Sequence, residues 1–274
     1  MIPYYYIYWF GINGGVMKYA IIGGTGVYNL AGNIREVSVD TPYGRIDFSV
    51  IMKDGKEIIF LPRHGKNHDK PPHLVNYLGN MWALKDYGVE FIFATVAVGS
   101  TRSDIVPGNL VLLRDFIDIT KSRPMTYYDG SKGVVHVSMA EPYCSMLCDK
   151  ILKAHTCSIV AEKILDNIVY VCTEGPRFET AAEISFYNQI GGDVVGMTNV
   201  PEVVLAKELS MCYSAVGVVT NMCTGLVGIE ATGKEILSIV NDRKEELTSL
   251  FVDIILNGDL TIDSCGCRSA LIRV

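Results

Sequence analysis

Apolar residues along this chain fall into two patterns, short continuous runs and runs spaced at the helical repeat. The continuous runs read as buried strands at Lys18–Gly23, Phe91–Val98, Ile168–Cys172 and Ser214–Thr220, with a shorter one at Asp193–Gly196. Val37–Asp40, Arg45–Met52 and Glu57–Pro62 read as antiparallel strands, the last two joined across the hairpin signal Asp54-Gly55. Helical spacing predicts helices over Leu74–Tyr87, stopping before Gly88, and over Glu141–His155 and Thr180–Gln189, the latter stopping at Gly191-Gly192. Pro201–Met211 reads as a helix with proline in its first turn. Thr232-Gly-Lys-Glu235 is a capping box that opens a last helix to about Leu256. Antiparallel strands followed by strand–helix alternation predict one α/β domain, a mixed twisted sheet flanked by helices. Ligands of such sheets collect at strand carboxyl ends.

The N-terminal stretch MIPYYYIYWFGINGG is aromatic and uncharged, without the basic start of a signal peptide. Residues 1–16 are therefore expected to be an extension outside the core, with the domain over 17–274. The 274 residues are 49% hydrophobic and 20% charged, enough for a packed core. A net charge of −6 with no basic run excludes the usual footprint of a nucleic-acid binder, and no apolar stretch reaches membrane-span length. Eight cysteines lack the paired CxxC spacing of zinc knuckles, so no metal is expected. A cytoplasmic protein would keep them reduced by default, although Cys265-Gly266-Cys267 could be a redox pair or a strained disulfide.

Six polar segments sit at strand ends. Gly23-Gly24-Thr25-Gly26 follows the first strand; it reads equally as a tight turn or an oxyanion cradle, and it fails both the dinucleotide and the Walker patterns. Pro62-Arg63-His64-Gly65 offers a fork donor and an imidazole to an oxyanion. Ala94–Ser100 ends in an accessible turn. Thr173–Thr180 joins an aromatic, a carboxylate and a helix start. Gly196–Glu202 is a strand-to-helix junction, and Val219-Thr220-Asn221 closes the last core strand.

In this order these segments resemble the methylthioadenosine/purine nucleoside phosphorylase family, trimeric or hexameric pentosyltransferases that cleave nucleosides with phosphate. The matching stretches include IIGGTGVY, LPRHG, VNYLGNMWALK, GSTRSDIVPGNLV, EGPRFETAAE, GMTNVPEVVLAKE and VVTN, spread over residues 17–256. The resemblance implies phosphate binding by Thr25, Arg63, His64, the Ala97 backbone and Thr198. It implies ribose contact by the Met197 backbone and purine packing by Phe178. It further implies that His136 reaches a neighbouring subunit's site, hence a homo-oligomer. Inorganic phosphate is then a co-substrate and no cofactor is needed. It also implies two disulfides, Cys144–Cys212 and Cys265–Cys267, as in archaeal relatives.

Base choice follows from Glu179 and Asn221. Members acting on 6-aminopurines carry Asp-x-Asp where this chain has Asn221-Met222-Cys223. A Glu179 carboxylate accepts the N1–H of a 6-oxopurine and repels the N1 lone pair of adenine, while the Asn221 amide donates to O6 or N7. Glu179, Asn221 and His64 are the expected catalytic set. The start of the last helix lacks a histidine for a 5′-hydroxyl, so S-methyl-5′-thioinosine is the expected substrate, ahead of inosine or guanosine and of methylthioadenosine. Arg63, as a loop residue, is expected to be dispensable for the fold.

Overall fold

The structure, a computed structural model, describes residues 17–23, 33–131, 133–157, 164–226 and 232–274. The anticipated N-terminal extension lies outside these residues. Eleven strands and five α-helices are described: β1 (Lys18–Gly23), β2 (Ile34–Thr41), β3 (Gly44–Lys53), β4 (Lys56–Pro62), α1 (Tyr77–Asp86), β5 (Val89–Ser100), β6 (Leu110–Asp118), β7 (Val135–Val137), α2 (Ser145–Cys157), β8 (Ile164–Cys172), α3 (Ala181–Gln189), β9 (Val194–Gly196), α4 (Asn199–Glu208), β10 (Cys212–Met222), α5 (Gly233–Asn257) and β11 (Leu271–Arg273).

Nine strands form one mixed sheet in the order β10-β6-β8-β9-β5-β1-β4-β3-β2, and β10 also pairs with β5. That extra pairing closes β5, β9, β8, β6 and β10 into a ring, while β1 to β4 extend it as an open sheet. The sequence predicts the mixed sheet but not the closure, because pairing between strands distant in sequence leaves no local pattern. The core runs through both parts and includes Phe48, Phe91, Phe93, Tyr170, Tyr213 and Phe251, all buried. Strands β1, β4, β5 and β10 are parallel to one another, so their carboxyl ends share one edge.

Element ends differ from the sequence reading for local reasons. Helix α1 starts at Tyr77 rather than Leu74, because the Asn76 side chain caps it by accepting from the Gly79 N–H. Helix α2 starts at Ser145, since the Cys144 N–H is drawn sideways to the Tyr213 carbonyl on β10. Helix α4 stops at Glu208: Ser210 takes a positive φ of 56° and the Met211 N–H folds back to the Ala206 carbonyl. The predicted capping box Thr232/Glu235 is formed, and Thr180 with Glu183 makes a second one at the start of α3. Strand β6, absent from the sequence reading, supplies the apolar run Leu110–Leu113 to the ring. Among the described residues no helix is long and apolar enough to cross a membrane.

Candidate active site

Strand β5 is the spine of the site. Side chains alternate along a strand, and Thr95, Ala97 and Gly99 share a face on which Ala97 is exposed and the other two are half-buried. Small residues keep this face open: a Cβ on Gly99 would stand 2.8 Å from Cys223 Sγ and 3.2 Å from Asn221 Nδ2. Among the described residues, one edge of β5 is also unpaired over a short stretch, since β1 registers with it only up to Ala94 and β9 resumes at Gly99. Backbone groups of alternate residues point to the same side of a strand. The Thr95 carbonyl is turned into this gap, where it accepts from Arg63 Nη1 at 2.8 Å, whereas the Val98 carbonyl faces β10 and accepts from Thr220. The Ala97 amide therefore faces the gap together with Thr95.

Arg63 stands at the gap, at the end of β4. It is 3% exposed, and its Nε and Nη2 donate to Glu202 Oε2 and Oε1, both at 2.7 Å. Burial works against the guanidinium charge, but the Glu202 carboxylate more than offsets this and holds Arg63 protonated. The expectation that Arg63 is dispensable for the fold is thus corrected: it is the counter-ion of a fully buried carboxylate. An arginine has five N–H donors; the bonds to Glu202 and Thr95 occupy three, leaving two without a partner among the described residues.

His64 follows, with Nδ1 facing the Lys70 carbonyl at 2.8 Å and its ring 4.7 Å from that of His68. Burial, and next the Arg63 charge, push its pKa down to about 4. The neutral ring donates from Nδ1 to Lys70, so its Nε2 is an acceptor. Thr198 is buried, and its amide donates to the Tyr170 hydroxyl at 3.1 Å. Strand β9 runs antiparallel to β5 with Val195 opposite Gly99, and Met197 and Thr198 follow its end at Gly196. Thr25 lies outside the described residues.

The second half of the site is the loop after β8. The Thr173 amide donates to the Gly196 carbonyl, and its hydroxyl donates to Glu179 Oε1 at 2.7 Å. Gly175 has a φ of +64°, and a Cβ there would stand 2.7 Å from Met197 Sδ, so only glycine lets this loop close on Met197. Glu179 is half-buried and Phe178 is 65% exposed. Asn221 is paired in register with Gly99, and its Oδ1 accepts from Thr220 Oγ1 at 2.8 Å. Cys223 connects the two sides: it stands over Gly99 beside Asn221, and its thiol is pushed up to about 12 by burial, with the Glu179 charge adding to the shift. Glu179 thus sits on Thr173 after β8, and Asn221 stands opposite Gly99 on β5.

Arg123, absent from the sequence reading, holds both halves. It donates to the carbonyls of Val200 at 2.6 Å, Glu174 at 2.8 Å and Thr173 at 3.2 Å, and to the Tyr77 hydroxyl at 3.2 Å. Glu202 was missed as well, although a glutamate inside the apolar run VPEVVLA is a signal of a buried partner. His136 is remote from these residues in pairing: it is exposed on β7, opposite Ile272 in a two-stranded ribbon with β11. Of the stretch 231–235, expected at the 5′ end of the substrate, Ala231 lies outside the described residues and residues 232–235 form the capped start of α5.

Away from this edge, the sulfurs of Cys144, Cys212, Cys265 and Cys267 lie within 4.8 Å of one another, Cys212 and Cys265 at 3.3 Å. Spacing alone does not predict this gathering, because strand pairing and the C-terminal turns make it. Among the described cysteines none is in a disulfide.

Residues 18–256 match the phosphorylase superfamily. A 6-oxopurine nucleoside phosphorylase of Pyrococcus furiosus is 45% identical over 93% of this chain and 97% of its own. A Methanothermobacter thermautotrophicus protein named probable S-methyl-5′-thioinosine phosphorylase is 45% identical over 92% of this chain and 88% of its own. Among solved structures, a methylthioadenosine phosphorylase from an antarctic soil metagenomic library superposes with a TM-score of 0.84 at 33% identity, covering 93% of this chain and 91% of that one.

Proposed function

The chain belongs to the phosphorylase superfamily, and from that premise we propose that it is a purine nucleoside phosphorylase of the 6-oxopurine type. Its leading substrate is S-methyl-5′-thioinosine, converted with phosphate to hypoxanthine and 5-methylthioribose 1-phosphate. The reading rests on Glu179, held by the Thr173 hydroxyl at the end of β8, and on Asn221, opposite Gly99 on β5. A carboxylate and an amide so placed complement the N1–H and the O6/N7 edge of a 6-oxopurine; adenine would leave a buried group unpaired at about 1–3 kcal/mol. Inosine and guanosine are the second reading, favoured by the relative from Pyrococcus furiosus.

In this reading phosphate occupies the gap beside β5, held by the two remaining N–H groups of Arg63, the Ala97 amide, Thr198, His64 and Thr25. Because His64 Nε2 is an acceptor, it takes a hydrogen bond from a protonated phosphate oxygen. The C1′–N9 bond breaks toward an oxocarbenium-like state, its electron pair passes into the purine, and a phosphate oxygen bonds C1′. Preorganised charge stabilises that state, and holding both reactants together removes the entropic cost of their encounter. Asn221 supports the charge arriving at N7, Glu179 fixes the base, Phe178 covers it, and the Met197 backbone meets the ribose. No cofactor or metal takes part.

The site is completed in a cytoplasmic homotrimer or hexamer, with the exposed His136 reaching a neighbour's 5′ end. Cys144–Cys212 and Cys265–Cys267 pair as disulfides, their sulfurs already being gathered. Hypoxanthine release from S-methyl-5′-thioinosine, followed with and without phosphate, tests the reaction. Release that ignores phosphate, or yields free methylthioribose, would overturn it.

A further inference from the structure

The carboxylate that holds Arg63 is itself held. Glu202 Oε1 accepts from the Tyr213 hydroxyl at 2.6 Å, the Tyr213 oxygen accepts from Asn199 Nδ2 at 2.9 Å, and Asn199 Oδ1 accepts from the Tyr143 hydroxyl at 2.6 Å. Every member is 3% exposed or less, and the chain of bonds crosses four parts of the fold: the loop after β4, the first turns of α4, β10 and the approach to α2. All donors point the same way, toward the carboxylate, so each bond polarises the next. Burial, and then the Glu202 charge, raise the Tyr213 hydroxyl far above its ordinary range, so it remains a donor.

Stability alone gives no reason for this arrangement, since well-packed apolar residues serve a core as well as a buried ion pair does. What the chain of bonds does fix is the guanidinium plane, because Glu202 occupies one edge of Arg63 and the remaining two N–H groups are oriented by default. We propose that Tyr143, Asn199, Tyr213 and Glu202 form a positioning relay that aims the free N–H groups of Arg63 at an anion in the gap beside β5. This rests on the reading of that gap as the phosphate site.

Tyr213→Phe and Tyr143→Phe each remove one hydroxyl from the full chain while keeping ring and volume. Phosphate affinity is measured from the phosphate dependence of thermal unfolding, and kinetics from nucleoside cleavage at varied phosphate. A hydrogen bond to a charged group sets the scale: Tyr213→Phe weakens phosphate about tenfold in both Kd and KM. Tyr143→Phe, two bonds further from the carboxylate, weakens it about twofold, and the nucleoside KM changes less than the phosphate KM in each. Lower melting temperatures with phosphate affinity unchanged would overturn the relay, as would a parallel rise in the nucleoside KM. If Tyr213→Phe does not fold, Tyr143→Phe decides alone, and an unchanged phosphate Kd contradicts the relay. Wild-type protein that binds phosphate without cleaving nucleosides strikes the proposed reaction and leaves the relay standing. Wild-type protein that does not bind phosphate overturns the relay.

Discussion

Arg63 shows how one residue serves fold and site together. Removing it leaves the Glu202 carboxylate, 0% exposed, with a tyrosine hydroxyl but no counter-ion. Breaking a buried pair from one side costs about 3–5 kcal/mol, so Arg63→Ala is expected to lower the unfolding free energy by that amount in a denaturant titration, besides weakening phosphate. His64 gives a pH signature. Its value falls from 6.5 unfolded to about 4 folded, so between these values the unfolded chain takes up a proton that the folded one refuses. Stability is full above pH 6.5 and declines as the pH falls toward 4, and His64→Gln should flatten that decline. The types of these two residues, next to a strand end, were legible in the sequence. Their partners were not, because Glu202 is distant along the chain and Lys70 meets His64 through its backbone.

Among the elements, the loop after β8 and the junction before α4 are joined by Arg123. Four of its acceptors, the carbonyls of Thr173, Glu174 and Val200 and the Tyr77 hydroxyl, come from segments that carry or border the site. Arg123→Met keeps the stem but leaves those carbonyls unpaired, at about 1–3 kcal/mol for each that water does not reach. The expected result is a higher nucleoside KM with a smaller change in the phosphate KM, read from steady-state kinetics. Element identity was mostly legible where one period dominated, as at β1, β5 and the capping box of α5. Boundaries failed where a tertiary bond overrode the local pattern, as at Cys144, whose amide turns to β10. The run Leu110–Asp118 carries an apolar half that the sequence reading passed over, and β7 and β11 are three residues each, too short to carry a period.

On the scale of the whole molecule, the parallel strands β1, β4, β5 and β10 bring their carboxyl ends to a common edge. Motifs separated by some 200 residues thereby flank one strand, Gly23 beside Thr95 and Asn221 opposite Gly99 of β5. No local pattern encodes that arrangement; the order of motifs conveys it only through a family resemblance. His136 lies exposed on the ribbon of β7 and β11, and light scattering is expected to give a multiple of three of the 30.2 kDa chain. A monomer would detach His136 from the reaction.

The central claim is the base that the site accepts, and one comparison tests it most directly. The specificity constants for S-methyl-5′-thioinosine and methylthioadenosine, at saturating phosphate, are measured on the wild type and on the double variant Glu179→Ser, Asn221→Asp. The wild type is expected to favour the 6-oxopurine by about tenfold or more, the scale of one mismatched buried group, and the double variant to shift toward the 6-aminopurine. A wild type that prefers methylthioadenosine, or a ratio that the double substitution leaves unmoved, would contradict the account.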